Sequence, residues 1–168
     1  ASDVYKRQEW DLGDNKSYNT DSYNQKIKKR LQKNGKLVPG SRGNVATAFK
    51  ESKDIIEATY HVPHLVHAPM EVPNATAWFK GDSCEVWAPV QDPQTVRSEI
   101  AHFFNLVLEN VTVNVTFLGG GFGRKSKSDF VVEAVALSKE INGPIQVVWT
   151  REDDIKHSFY HSTSTQYL

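Results

Sequence analysis

Val111-Thr-Val-Asn-Val-Thr-Phe117, followed without a break by Leu118-Gly-Gly-Gly-Phe-Gly-Arg-Lys125, is the stretch on which the reading of this chain turns. Its first half is β-branched and alternates in type, which predicts a strand. The glycines open as soon as the strand ends. Three in succession remove every Cβ at that point, so the backbone can take positive φ and its N–H groups can approach an anion or a bulky cofactor. Two familiar phosphate patterns do not fit, because Arg124 stands where a P-loop needs the glycine before its lysine and where the dinucleotide fingerprint needs its last glycine. A tight turn would explain a bare glycine run. Phe122, a large apolar side chain amid glycines, points instead to a wall for something flat.

Outward from this stretch, helices and strands alternate irregularly. Ser128 to Glu140 carries Phe130, Val131, Ala134, Val135 and Leu137 at helical spacing and is closed by Asn142-Gly-Pro144. Ile145 to Trp149 reads as a strand, and Thr150-Arg-Glu-Asp153 after it has the shape of a capping box. On the other side, Asp92 caps a helix that has Pro93 in its first turn and Val96, Ile100, Phe103 and Phe104 on one face, running to Phe104. Before it come three extended runs, Ile55–Val62, Ala75–Phe79 and Glu85–Ala88, which the pattern predicts to be neighbouring strands. Strands interspersed with helices, without an even βαβ repeat, predict an α+β fold: a mixed sheet with packed helices.

The chain has 168 residues, of which 39% are hydrophobic and 24% charged, and its 20 Lys+Arg match 20 Asp+Glu. The neutral total hides an asymmetry: residues 1–50 carry eleven basic and five acidic groups, and the remainder nine and fifteen. No run approaches the roughly 18 apolar residues of a membrane span. Asp21 to Lys33 reads as an amphipathic helix with Tyr23, Ile27 and Leu31 on one face and a basic outer face, followed by a turn-rich connector and a brief helix from Val45 to Phe49. No aromatic stacking platform accompanies the Lys/Arg run, so it reads as a solvated face and not as a nucleic-acid site. Residues 1–8 resemble the translation of a sequencing-library adapter and are set aside from the fold. The last residues, Ser162 to Leu168, stop as a new strand begins. The expected organisation is an adapter-derived tail at 1–8, a basic helical lead-in at 9–50, and an α+β domain portion at 51–168, truncated at its C-terminal end.

Other motifs carry less. His61, His64 and His67 invite a metal, but Pro63 and Pro69 break the helix that would align them, and strand geometry turns His61 and His64 to opposite faces. The single Cys84 precedes a strand without an acid–base neighbour and reads as a packed thiol; alone it excludes a disulfide framework or a cysteine-held cluster within this chain. The Asn-X-Ser/Thr triplets at Asn15, Asn74, Asn110 and Asn114 read as chance in an Asn- and Thr-rich chain.

Several strings together resemble one family: His67-Ala-Pro-Met-Glu71 with Asn74-Ala-Thr-Ala77, Glu85-Val-Trp-Ala-Pro-Val-Gln91, Leu118 to Arg124, and Val148-Trp-Thr-Arg-Glu-Asp-Asp154. In this order they resemble the molybdopterin-binding large subunit of the xanthine dehydrogenase and aldehyde oxidase family, on the isoquinoline 1-oxidoreductase β-subunit branch, over about Glu9 to His161. The resemblance implies oxidative hydroxylation of an N-heterocycle or aldehyde, with water as the oxygen source. It also implies a molybdenum–molybdopterin cofactor in its cytosine dinucleotide form, iron–sulfur clusters on a small partner subunit, and the remainder of a larger subunit as further partners. By the same resemblance, Gln91 brings its amide to the molybdenum oxo group. Gly121, Phe122, Gly123 and Arg124 form the loop wall beside the cofactor, with Arg124 an anion contact, and no residue here ligates the metal directly. His67 and Glu71 match a string near the substrate channel, although a structural ion pair would serve Glu71 as well. Ser126 stands where purine-oxidising relatives have an acidic residue, which speaks against a purine. The family's general-base glutamate would lie beyond Leu168, so the chain reads as a fragment inactive alone, of periplasmic or cytoplasmic origin. The competing reading is a non-catalytic binding module in which the glycine run is a structural turn.

Overall fold

The structure, a computed structural model, describes residues 11–33, 35, 36 and 38–168. In chain order it comprises α1 (Thr20–Leu31), α2 (Val45–Glu51), β1 (Thr59–Val62), β2 (Leu65–Val66), β3 (Asn74–Phe79), β4 (Cys84–Ala88), α3 (Pro93–Phe104), β5 (Val111–Val115), α4 (Asp129–Ile141), β6 (Ile145–Val148), α5 (Arg151–Lys156), β7 (Tyr160–His161) and β8 (Ser164–Tyr167). The adapter-like residues 1–8 lie outside the described residues. Two units are distinct, one running up to Val62 and including Thr163–Leu168, the other Pro63–Ser162.

In the first unit both helices begin at asparagine caps. The Ser22 N–H donates to Asn19 Oδ1 at 3.0 Å and the Thr47 N–H to Asn44 Oδ1 at 3.1 Å, satisfying amides that the first helical turn leaves open. β1 pairs antiparallel with β8, from Thr59↔Tyr167 to Val62↔Ser164. Two expectations are corrected here. The strand starts only at Thr59, and its neighbour is β8 and not β3. Pro63, which has no N–H to give a ladder, ends the strand.

The second unit holds a four-stranded sheet in the order β5-β4-β3-β6. β3 runs antiparallel to β4 and β6, while β5 runs parallel to β4. The parallel pair requires a crossover, and α3 supplies it, giving one βαβ unit in an otherwise antiparallel sheet. The sheet is therefore mixed, with helices packed on it, as the sequence predicted. Strand alternation turns Ala75, Ala77 and Phe79 of β3 and Val86 and Ala88 of β4 toward the core, where they meet Val96 and Ile100 of α3 and Phe130, Val131, Ala134 and Val135 of α4. The alanines of β3 leave room for α4 to lie close.

The caps predicted in this unit form. Asp92 Oδ1 accepts from the Thr95 N–H at 3.1 Å, with Pro93 following, and Thr150 and Asp153 make the reciprocal box that starts α5. α3 and α4 both stop at a left-handed asparagine, Asn105 (φ 55°) and Asn142 (φ 56°). One face assignment is corrected: Phe103 is 63% exposed, while Phe104 is half-buried against Phe79 at 5.9 Å between centroids. Positions three and four on from Ile100 both neighbour it, so it is the packing of Phe104 on Phe79, and not the spacing, that covers one ring and leaves the other exposed. Cys84 is a packed thiol, and burial pushes it up to about 11. No helix among the described residues is long and apolar enough to cross a membrane.

Candidate functional site

The two parallel strands deliver their C-terminal ends to one place. β4 runs through Pro89 and the buried Val90 to Gln91, and β5 runs through Thr116, whose N–H donates to Ala88 O at 3.2 Å, into the glycine loop. The ends are stitched again where the Gln91 N–H donates to Lys125 O at 2.9 Å. Ligand sites of open sheets collect at such strand ends, because the loops that leave them diverge and open a crevice.

Within the loop the backbone turns sharply. Gly120 (φ +96°), Phe122 (φ 51°) and Gly123 (φ +95°) are all left-handed, and the Arg124 N–H closes the turn on Gly121 O at 2.8 Å. For Phe122 that conformation is strained by about 1 kcal/mol or more, which the surrounding contacts must offset. The glycines without positive φ are required for a different reason. A Cβ on Gly119 would lie 2.6 Å from Glu71 Cβ, and one on Gly121 would lie 2.5 Å from Gln91 Oε1.

Gln91 is fixed by the loop it crosses. Its Oε1 accepts the Gly123 N–H at 3.0 Å, which sets the orientation of the amide and leaves the Nε2 hydrogens turned away from that bond. Among the described residues, no acceptor is found for the N–H groups of Gly120, Gly121 and Phe122. Three backbone donors and one amide donor without a partner suit a group that presents negatively polarised oxygens. The donor set therefore fits an oxo- and phosphate-bearing cofactor. Phe122 is 65% exposed, and the neighbouring Met70, Phe117 and Leu118 are also exposed, so the loop presents an apolar rim around these donors.

Glu71 ties the loop from beneath. Its N–H donates to Gly119 O at 3.1 Å, its Oε2 accepts the Gly119 N–H at 2.8 Å, and the same oxygen accepts from Lys125 Nζ at 2.5 Å. Burial raises the Glu71 carboxyl, but bonds from Lys125, Gly119 and Asn74 outweigh it and hold the group below its ordinary range. Lys125 is fully buried, so the pair offers the loop face no free charge. His67 lies on the far side, its Nε2 3.8 Å from where a Gly123 Cβ would be, with its ring 4.0 Å from that of His161. Burial, then the neighbouring His161, pull its pKa below the ordinary histidine value. His61 instead bonds Thr165 Oγ1, and His64 the carbonyl of His161.

Of the residues singled out in the sequence, Gln91, Gly121, Phe122 and Gly123 form the centre, and Glu71 and His67 touch it through Gly119 and Gly123. Arg124 behaves differently. Its guanidinium is fully buried and forks onto Asp129, Nη1 to Oδ1 at 2.8 Å and Nη2 to Oδ2 at 2.7 Å, so it is not the outward anion contact that the resemblance implied. What Arg124 presents to the loop is its backbone. Lys125 and Asp129 were missed as site residues. Lys125 meets Glu71 across 54 positions, a separation that no local pattern reveals; the i, i+5 spacing of Arg124 and Asp129 was there to be read but straddles a loop and a helix start.

Known proteins resemble this chain in sequence and fold. The profile of the family described as "Molybdopterin cofactor-binding domain" matches residues 27–167. The isoquinoline 1-oxidoreductase subunit beta of Brevundimonas diminuta is 29% identical over 121 residues, covering 71% of this chain and 16% of that protein. Aldehyde oxidase 2 of Macaca fascicularis is 32% identical over 136 residues, covering 77% of this chain and 10% of that protein. In solved structures, quinoline 2-oxidoreductase from Pseudomonas putida 86 has the same fold at a TM-score of 0.55 and 22% identity, over 73% of this chain and 16% of that one. The chain thus spans only a tenth to a sixth of the length of these relatives.

Proposed function

The chain belongs to the molybdopterin cofactor-binding domain family, and from that premise we propose that it forms one wall of the cofactor site in the large subunit of a molybdenum hydroxylase of isoquinoline 1-oxidoreductase type. The enzyme oxidises an N-heterocycle or an aldehyde with water as oxygen source. The observation that carries this reading is the Gly123 N–H to Gln91 Oε1 bond, which fixes the amide beside a loop that leaves the N–H groups of Gly120, Gly121 and Phe122 open among the described residues.

When bound, the molybdenum cofactor supplies the two-electron oxidation and the activation of water. The residues of this chain do the rest by holding and shaping. Gln91 Nε2 donates to an oxygen of the cofactor, an uncharged donor that steadies negative charge without competing for it. Gly121 and Phe122 would offer the same group their open N–H donors, while Gly123 and Arg124, whose N–H groups are taken by Gln91 and Gly121, would border it with their main chain. The Phe122 ring bounds a flat substrate, with His67 and the Glu71 segment beside its channel. Because Glu71 is neutralised by Lys125, this side of the channel favours an uncharged substrate over a cationic one.

The cofactor is in the cytosine dinucleotide form, the electrons leave through iron–sulfur clusters on a small partner subunit, and the remainder of the large subunit supplies the general base. In this reading residues 9–50 are a lead-in to a domain that begins near 51. Gln91→Ala in the full chain tests it: molybdenum content and turnover both fall. Full metal content with unchanged turnover would refute the role of Gln91.

A further inference from the structure

The Arg124 side chain is fully buried beneath the loop's main chain. Its guanidinium makes a bidentate pair with Asp129, the first residue of α4, and lies 5.3 Å from the ring centroids of both Trp149 and Phe159. Trp149 is itself fixed, because its Nε1 donates to Glu133 Oε2 at 2.6 Å, one turn further along α4. A planar cation held edge-on by a carboxylate and flanked by aromatic faces is restrained both in its plane and across it. The same residue closes the strained turn, through its N–H bond to Gly121 O. Anything that fixes the Arg124 side chain therefore fixes the turn at Phe122 and Gly123, and through the Gly123 N–H the direction of the Gln91 amide.

We propose that Arg124, Asp129 and Trp149 form a lock, with Phe159 as its second face, whose task is to hold the glycine loop in its left-handed turn, making Arg124 a positioning residue that acts through Asp129. This rests on the preceding functional reading only for its effect on the cofactor; the effect on the loop stands without it. The lock and a direct anion contact make opposite predictions for Asp129→Asn. That change removes the carboxylate charge and one of the two bonds to the guanidinium, so an anion-binding Arg124 would keep or improve its hold on the cofactor, whereas a lock is weakened, as it is by Arg124→Met.

The test uses the full chain with two readouts. The first is molybdenum per polypeptide in Asp129→Asn, Arg124→Met and the double variant. Each single change lowers it by about ten-fold or more, in the range seen when residues supporting a metal site are removed, and the double variant is no worse than either single. The second needs no cofactor: trypsin cleavage after Lys125, fully buried in the native loop, is about ten-fold faster in Asp129→Asn while cleavage after Lys139 in α4 is unchanged. Retained molybdenum in Asp129→Asn beside loss in Arg124→Met would overturn the proposal in favour of a direct contact. Equal acceleration at Lys125 and Lys139 would overturn it too, because the pair would then hold the whole unit and not the loop. A wild-type chain that takes up no molybdenum but shows the selective cleavage would sink the cofactor reading and leave the lock standing.

Discussion

Gly121→Ala separates the two roles a glycine can have in this loop. Its φ does not lie in the left-handed region, so alanine meets no backbone penalty; the conflict is with Gln91 alone. The new Cβ would stand 2.5 Å from Oε1, 2.7 Å from Cδ and 3.1 Å from Cγ of that side chain, closer than real Cβ contacts come. Gln91 is exposed, and its amide can swing out. In doing so it gives up the 3.0 Å bond from the Gly123 N–H. Losing that bond costs about 1 kcal/mol, and residual crowding adds about 1 kcal/mol, so stability falls by roughly 2 kcal/mol, a shift of about 4–8 °C in melting temperature for a chain of this size. The amide then no longer points over the loop, and cofactor retention falls further than stability does, by about ten-fold or more. Thermal unfolding and molybdenum per polypeptide measure the two effects. Gly143→Ala is the matched control, since nothing lies within 4 Å of its added Cβ and its φ is not left-handed; both readouts stay near wild type. A Gly121→Ala protein with wild-type melting and full molybdenum content would refute the reasoning.

The Glu71–Lys125 pair is asymmetric, because Lys125 is fully buried while the Glu71 side chain is 31% exposed. Glu71→Ala, which strands a buried cation, lowers stability by about 3 kcal/mol, whereas Lys125→Met leaves a carboxylate that water can reach and costs about 1 kcal/mol; equal denaturant midpoints would contradict this. The same carboxyl sets an acid limb: being held below its ordinary value of 4.5 in the folded chain, it contributes stability that is present above that value and is lost as pH falls through the depressed one. Unfolding free energy followed downward from pH 4.5 should slope less in Glu71→Gln than in wild type, and identical slopes would show the carboxyl to be unshifted. In the core, Phe130→Ala costs about 3–5 kcal/mol by opening a cavity under the sheet, while Phe103→Ala, at a side chain 63% exposed, costs less than about 0.5 kcal/mol.

Most of the second unit was legible because local signals and burial agree there. Asp92-Pro93 started α3, Asn142-Gly143 ended α4, and the alternation around Ala75, Ala77 and Phe79 marked a strand with one buried face. The strand pairings were legible only in part. β1 has the composition of a strand, but all its residues are exposed, so no burial pattern identified its partner, and β8, about a hundred residues away, took that place. The site was legible where chemistry follows the chain, at the glycine loop and at Gln91. It was not legible where contacts are long-range. No spacing rule brings Lys125 onto Glu71 or Trp149 beside Arg124, and a sequence offers a cation such as Arg124 as readily to an outside anion as to an inside carboxylate.

That ambiguity bears on how a glycine run should be read. Of the loop's glycines, Gly119 and Gly121 are required because Glu71 and Gln91 occupy the space a side chain would take, and Gly120 and Gly123 because their backbone is left-handed. None of these reasons mentions a ligand. A purely structural turn would use the same four residues, so the glycines alone do not separate a cofactor wall from a tight bend. What separates them is the state of the donors. A structural turn in a folded chain pairs its buried N–H groups internally, whereas here Gly120, the buried Gly121, and Phe122 keep theirs unpaired within the described residues, while the bonds that do form, Gly119 to Glu71 and Gly123 to Gln91, set the loop's ends and the aim of an amide. On these three adjacent open donors, and not on the glycines, the proposed cofactor wall rests.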